Sequence, residues 1–213
     1  MHIRWLAACG MVVLGVPGAS FAQPSWNDTL AFPSGRHAEM QTLLERTIFR
    51  VDVLTLRVRY DSNTAQSVRR LNRRSMSEKA FEDSVALAVI GSEDLLAEIV
   101  FLREISLDQF LDGIDEDMAM AARAGFLSDS VHRAVMAGLP ASFAFLRERR
   151  IRKGDRISYR LHGNTLRTAY RDATGTVLLD QVDRGRERRM SVIATFLAPG
   201  SSFRSGLLES LPE

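Results

Sequence analysis

The order of elements in this sequence predicts an antiparallel α+β fold, and three observations carry that prediction. A strand-like run, Leu95–Ile105 (LLAEIVFLREI), is followed by a block of helices instead of a single crossover helix. Two closely spaced strand-like runs, Asp155–Leu161 (DRISYRL) and Leu166–Arg171 (LRTAYR), are joined through Gly163-Asn164, a tight-turn pair. Strands and helices are thus segregated along the chain, which argues against a repeated βαβ unit.

The N-terminus is set aside first. Met1–Trp5 carries Arg4, Leu6–Val16 is apolar, Pro17-Gly18 breaks the run, and Ala19-Ser20-Phe21-Ala22 supplies small residues at the positions a signal peptidase reads. The segment reads as a secretory signal peptide over residues 1–22, with cleavage expected after Ala22 and a periplasmic destination. A membrane-spanning helix would need roughly 20 apolar residues, so no stable membrane insertion is expected after processing. Leu6-Ala7-Ala8-Cys9 resembles a lipoprotein box, but the cysteine comes too early, with no apolar core before it. Cys9 is the only cysteine of the 213 residues, so the processed chain has no disulfide, thiolate metal site or cysteine nucleophile.

Residues 23–40 read as a leader and edge segment, with Thr29–Pro33 a short edge strand, and residues 41–213 as one domain. Arg36–Glu45 has helical character. Ile48–Tyr60 (IFRVDVLTLRVRY) alternates as a long strand, with Phe49, Val51, Val53 and Thr55 on one face and a slip near Leu54–Leu56 that suggests a bulge. Asp61–Thr64 is a turn, and Gln66–Arg74 is either a loop or one helical turn. Ser77 caps a helix running to Ile90, with Gly91 just past its end. Leu95–Ile105 lacks clean alternation and so reads as a strand buried on both faces.

Ser106-Leu107-Asp108-Gln109 is a capping-box sequence, and Phe110, Leu111, Ile114, Met118 and Ala121 then form an apolar stripe ended by Gly125. Ser128 opens a helix expected to stop at Gly138, and Pro140 suits the first turn of another, Ala141–Arg149. Arg156–His162, Leu166–Arg171 and Thr176–Val182 follow as strands. Glu187–Leu197 is helical with Met190, Ile193, Ala194 and Leu197 inward, Pro199-Gly200 breaks it, and Phe203–Leu211 is the last helix.

Composition excludes several functions. With 28 basic and 26 acidic residues the net charge is only +2, and the arginine clusters are interleaved with acids or lie beside turns, so nucleic acid is not an expected partner. His37, His132 and His162 stand far apart with no carboxylate at ligand spacing, so neither metal nor cofactor is expected. No Gly-x-Ser-x-Gly elbow occurs. Asp112, Asp115, Glu116 and Asp117 are assigned to the wet face of their helix. The remaining candidates are Arg46, Arg50 and Arg103, each beside apolar sequence, where a guanidinium can hold a carboxylate or an oxyanion. The competing reading pairs them with Glu45, Glu98 or Glu104.

Four segments together resemble the chalcone isomerase-like proteins, particularly their exported bacterial branch. These are Ile99–Gln109 (IVFLREISLDQ), Ile151–Leu161 (IRKGDRISYRL), Asn164–Val182 and Thr195–Leu208 (TFLAPGSSFRSGLL), and the likeness spans roughly residues 40–212. The resemblance implies an open-faced β-sandwich, a curved antiparallel sheet covered on one side by helices, with a ligand cleft between the layers. It also implies that Arg46, counted back from Val53, faces the cleft, where the enzyme holds an oxyanion and fatty-acid-binding relatives hold a carboxylate.

Departures bear on activity. The family's arginine stands in a Gly-x-Gly-x-Arg context, whose two glycine positions are Thr42 and Leu44 here; Leu54 falls at about the active-site threonine, and Leu54 and Arg59 at strand positions where tyrosine is usual. Asp108–Arg149 contains no tyrosine, where the enzyme places a catalytic one and an asparagine. The resemblance therefore implies a non-catalytic binder of a small hydrophobic, fatty-acid-like ligand, with Arg46 as anchor and Phe49, Val51, Phe101, Phe110 and Met118 as lining. The alternatives are an intramolecular lyase of the chalcone isomerase type with a rearranged site, and an envelope interaction protein whose cleft is filled by its own side chains.

Overall fold

The computed structural model describes residues 37–46, 51–71 and 75–211. Its strands are β1 (Ala38–Arg46), β2 (Val51–Tyr60), β3 (Asp94–Phe101), β4 (Arg156–His162), β5 (Thr165–Arg171) and β6 (Val177–Arg184). They form one antiparallel sheet in simple sequence order. The helices are α1 (Ser62–Arg70), α2 (Glu78–Ile90), α3 (Leu107–Arg123), α4 (Asp129–Ser142), α5 (Leu146–Arg149), α6 (Arg186–Leu197) and α7 (Arg204–Glu209). The α+β class and the one-sided helical cover are as expected.

The period of two along each strand decides which face the helices take. In register, Leu56, Ile99, Ile157 and Tyr170 form one row, and Val58, Ala97 and Tyr159 the next; all are buried. The opposite face carries Arg57, Glu98 and Arg59, with Arg59 Nε 2.8 Å from Glu39 Oε2 and Arg167 Nη2 2.7 Å from Asp180 Oδ2. Arg160 pairs with Asp94 on that face as well. Such a ladder of ion pairs keeps a helix-free face soluble and contributes little to stability.

Helix α6 is the centre of the helical layer. Its residues Ser191 and Ile193–Leu197 are buried, and it packs on α2, α3, α4, α7, β5 and β6. Helix starts follow their caps. Ser77 accepts from the Ala80 N–H, and Ser106 and Gln109 complete the expected reciprocal capping box.

Several expectations are corrected. The segment expected to be helical, Arg36–Glu45, is strand β1 over Ala38–Arg46. Its helix-forming Glu, Met, Gln and Leu residues are overridden because Met40 and Leu44 gain burial on the covered face by pairing with β2. Asp61–Thr64 is no free turn, because Asp61 Oδ1 accepts from the Thr64 N–H and starts α1. Helix α4 runs through Gly138 and Pro140 to Ser142, and the helix expected over Ala141–Arg149 shrinks to the four residues of α5. Pro140 sits in the last turn of α4, where its missing N–H removes a single bond while the Phe143 N–H still donates to Leu139 at 3.0 Å. Strand β3 ends at Phe101, and Ile105 instead makes an isolated bridge with Ile151. Asp117 lies off the wet face: it is buried and accepts from the Ser202 N–H at 2.9 Å and from the Ser202 hydroxyl. Strand β2 does carry a bulge, but earlier than the expected Leu54–Leu56: Leu54 pairs with Leu44 and Asp52 with Glu45, leaving Val53 as the extra residue. The expected strand Thr29–Pro33 lies outside the described residues.

Asp155, from the Lys-Gly-Asp turn before β4, ties the two layers together. Its carboxylate is fully buried and takes a two-pronged contact from Arg149, 2.6 and 2.9 Å. It also accepts the Tyr170 hydroxyl at 2.6 Å, the Arg152 N–H at 2.8 Å and the Ala173 N–H at 3.1 Å. Burial alone would raise this carboxyl, but the donors from Arg149, Tyr170 and the Arg152 backbone together hold it below the usual carboxylate range. Above the ring of Tyr170 stand Phe143 and Phe145, edge-on at 6.5 and 5.3 Å.

A glycine enters at the other end of the layer. Gly206 of α7 lies against Thr42 of β1, whose Cβ would sit 2.9 Å from any Cβ added there and whose Oγ1 would overlap it. The close approach at this crossing is thus provided by a glycine on the helix, while β1 carries Thr42 and Leu44.

Gly206→Ala is therefore expected to lower stability by about 1–3 kcal/mol, read as a fall in urea midpoint with an unchanged slope. Asp155→Asn should cost about 3 kcal/mol, at the lower end for a broken buried pair because Arg149 keeps partial solvent access. Because the folded pKa of Asp155 is depressed, its contribution is complete above about pH 4 and is lost as pH falls through the folded value. Urea titrations between neutral pH and acid should show the wild type and Asp155→Asn converging as pH drops.

Candidate functional site

A cavity of about 320 Å³ opens between the sheet and the helical layer. Its floor comes from Leu54, Ile99 and Tyr159 on the covered face of β2, β3 and β4; its roof comes from Phe110 and Ile114 of α3 and from Phe196 of α6. Leu44 and Val53, at the bulge, form one side, and Phe203 closes against Phe196 with ring centroids 5.3 Å apart. The bulge places Val53 and Leu54 on the covered side in succession, which turns an alternating strand into a continuous apolar wall. The volume lies at the lower end of the ~300–1,000 Å³ typical of small-molecule sites.

Arg103 also lines this cavity. Its Nε is buried with no hydrogen-bond partner among the described residues. Two of the acids expected to neutralise it are engaged elsewhere: Glu104 with Arg150 at 2.7 Å and Glu98 with Arg59 at 3.4 Å. The exposed Asp112 is at the same rim, so the entrance is amphoteric, with a guanidinium reaching inward from the sheet side.

The polar groups inside are largely spent. Thr195 donates its hydroxyl to Ser191 O at 2.7 Å, and Asp117 is occupied by Ser202. Tyr159 differs. No protein partner meets its hydroxyl among the described residues, and burial pushes its pKa well above the ordinary tyrosine value. It therefore stays neutral at any physiological pH and can donate a hydrogen bond, but cannot serve as a phenolate base. A histidine–carboxylate contact, His132 Nε2 to Asp115 Oδ1 at 2.6 Å, joins α4 to α3 and lines neither this cavity nor the one beyond it.

A second, smaller cavity of about 110 Å³ lies beyond, under α4. Val135, Leu139 and Phe143 roof it, Leu166 and Leu179 of the sheet form its floor, and Arg188, Asp183 and Gln181 stand at its rim. Ile114, Tyr159, Thr195 and Phe196 line both cavities.

The residues expected from sequence distribute as follows. Phe110 lines the larger cavity and Met118 the smaller one. Phe101 is fully buried and supports the roof from below, its ring 5.9 Å from that of Phe110, without lining either space. Arg46 is the last residue of β1 and pairs with Val51, so both sit at the strand ends next to Leu44 and Val53. Phe49 and Arg50 lie outside the described residues. Tyr159, Thr195 and Phe196 were not anticipated as lining. Tyr159 shares a face with Ile157 and Leu161, as its alternation predicts, but only the register of β4 against β3 places it in the cleft. Phe196 falls outside the inward stripe read for its helix, and no local pattern marks it.

No family model and no curated protein matches the sequence. Among solved structures, the chain is similar to a fatty-acid binding protein of Arabidopsis thaliana, with a TM-score of 0.57 and 11% sequence identity, over 84% of this chain and 90% of that one. At that identity the likeness speaks for architecture, and it agrees with the open antiparallel sheet and single helical layer described above. The chain has the chalcone isomerase fold.

Proposed function

We propose that this protein is a non-catalytic carrier that binds a small hydrophobic anion, of the fatty-acid class, between sheet and helices. The observation that carries the reading is the Arg103 guanidinium, its Nε buried and unpartnered, facing an apolar space of about 320 Å³. A buried donor of this kind is costly unless something accepts from it, and a ligand carboxylate would do so while its chain covers Phe110, Phe196 and Leu54. Arg46, at the strand end bordering the same chamber, is the second cation of the proposed site, and the resemblance adds Phe49 and Val51 to its lining. The volume argues against a cleft filled by its own side chains. The engaged state of Thr195 and Asp117 leaves the chamber without a free carboxylate or hydroxyl partner from those two positions, and burial of Tyr159 disfavours a phenolate base. The fatty-acid binding protein of the same fold is consistent with this reading. The N-terminal segment supports export, and no helix among the described residues is long and apolar enough to cross a membrane.

Competition against a fluorescent fatty acid should show saturable binding of a free carboxylate. Arg103→Gln should weaken it by about 1.5–3 kcal/mol, the value of a hydrogen bond to a charged group, while binding of the methyl ester stays unchanged. Absence of displacement by any carboxylate, or equal loss for acid and ester, would contradict the reading.

A further inference from the structure

We propose that the two cavities form a single elongated site, with Tyr159 and Phe196 as its neck, so that the ligand is a long single-chain amphiphile. This rests on the binding reading above and adds a direction and a length to it. The larger chamber holds the anionic head and upper chain at the Arg103 end. The smaller chamber under α4 receives the chain terminus.

The geometry points this way for three reasons. The chambers are neighbours that share four lining residues, Ile114, Tyr159, Thr195 and Phe196. Of these, Tyr159 and Phe196 stand with ring centroids 6.2 Å apart at an angle of 55°, a tilted and not a closely stacked contact. The polar atoms at the neck also differ in their needs. Thr195 Oγ1 already donates to Ser191 O, so it presents its methyl face, whereas the Tyr159 hydroxyl is unengaged. A chain passing the neck would thus meet apolar surface with a single donor at the crossing.

A rigid polycyclic ligand fits this shape poorly, because two chambers of unequal size in line favour a flexible chain that threads them. The terminal chamber has an internal space unique to α4. Gly138 faces it, and a Cβ added there would meet only Arg188 Nη2, at 4.0 Å. Gly138 is helical without a positive φ, so a larger residue is compatible with the backbone and improves helix propensity. The position is therefore a place where the far chamber can be filled without disturbing the near one.

The test is a chain-length series, octanoate to palmitate, measured by competition and calorimetry on the wild type, Gly138→Leu and Val135→Phe. Melting temperatures of both variants are recorded beside the binding data. Expected is a loss of roughly tenfold to a hundredfold in palmitate affinity in both variants, the value of a few methylenes denied burial, with octanoate affinity unchanged. Equal affinities for palmitate in folded variants and wild type, or equal losses for octanoate and palmitate, would overturn the two-chamber site while leaving carboxylate binding intact. Failure of every chain length to bind the wild type would overturn both this inference and the binding reading beneath it.

Discussion

The buried Asp155 carboxylate is the constraint on which the cleft depends. Five donors converge on it: two guanidinium N–H groups of Arg149, the Tyr170 hydroxyl, and the N–H groups of Arg152 and Ala173. They come from the end of the helical block, from β5, from the turn before β4 and from the turn between β5 and β6. One anion thus fixes the place where the helices re-enter the sheet. Its own backbone extends the grip, since the Asp155 carbonyl accepts from the Phe101 N–H and the Gly154 N–H donates to the Phe101 carbonyl. Phe101 then supports Phe110, and Phe110 meets Phe143 edge-on at 5.4 Å. A charge network at the turn is in this way converted into the position of the roof over the cavity.

The sheet itself has opposite duties on its two faces. The helix-free face is covered by paired arginines and acids, which tolerate water and need no exact geometry. The other face must separate from its helices locally without losing its seal. Two devices hold the edge of that opening. The extra residue Val53 in β2 turns two successive apolar side chains inward, and Gly206 lets α7 close on β1 at Thr42. Beside these two points the apolar space of about 320 Å³ opens in a core that is otherwise close-packed.

How much of this was legible in the sequence varied with the range of the interaction. Local signals were read correctly where the cause is local: the Ser106–Gln109 capping box and the Gly163-Asn164 turn each depend on a few neighbouring residues. Arg36–Glu45 misled because its residues favour a helix when isolated, and only the partner strand decides otherwise. Gly138 and Pro140 misled in the opposite sense, since burial of Val135, Leu139 and Phe143 carries the helix through both. The cleft was legible only as a place between layers. Its neck is set by the register of β4 and the rotation of α6, which no local pattern records, and the lack of a partner on Arg103 Nε goes with Glu98 and Glu104 being taken by Arg59 and Arg150.

The central claim is that the space beneath α3 exists to be occupied by a hydrophobic anion. Native mass spectrometry of the protein isolated from a bacterial periplasm, without added ligand, tests it most directly. The account predicts a chain beginning at Gln23 that carries a co-purifying single-chain carboxylic acid, released on mild activation and identified by its fragment mass. A homogeneous ligand-free chain, which also fails to take up palmitate when it is supplied in excess, would contradict it.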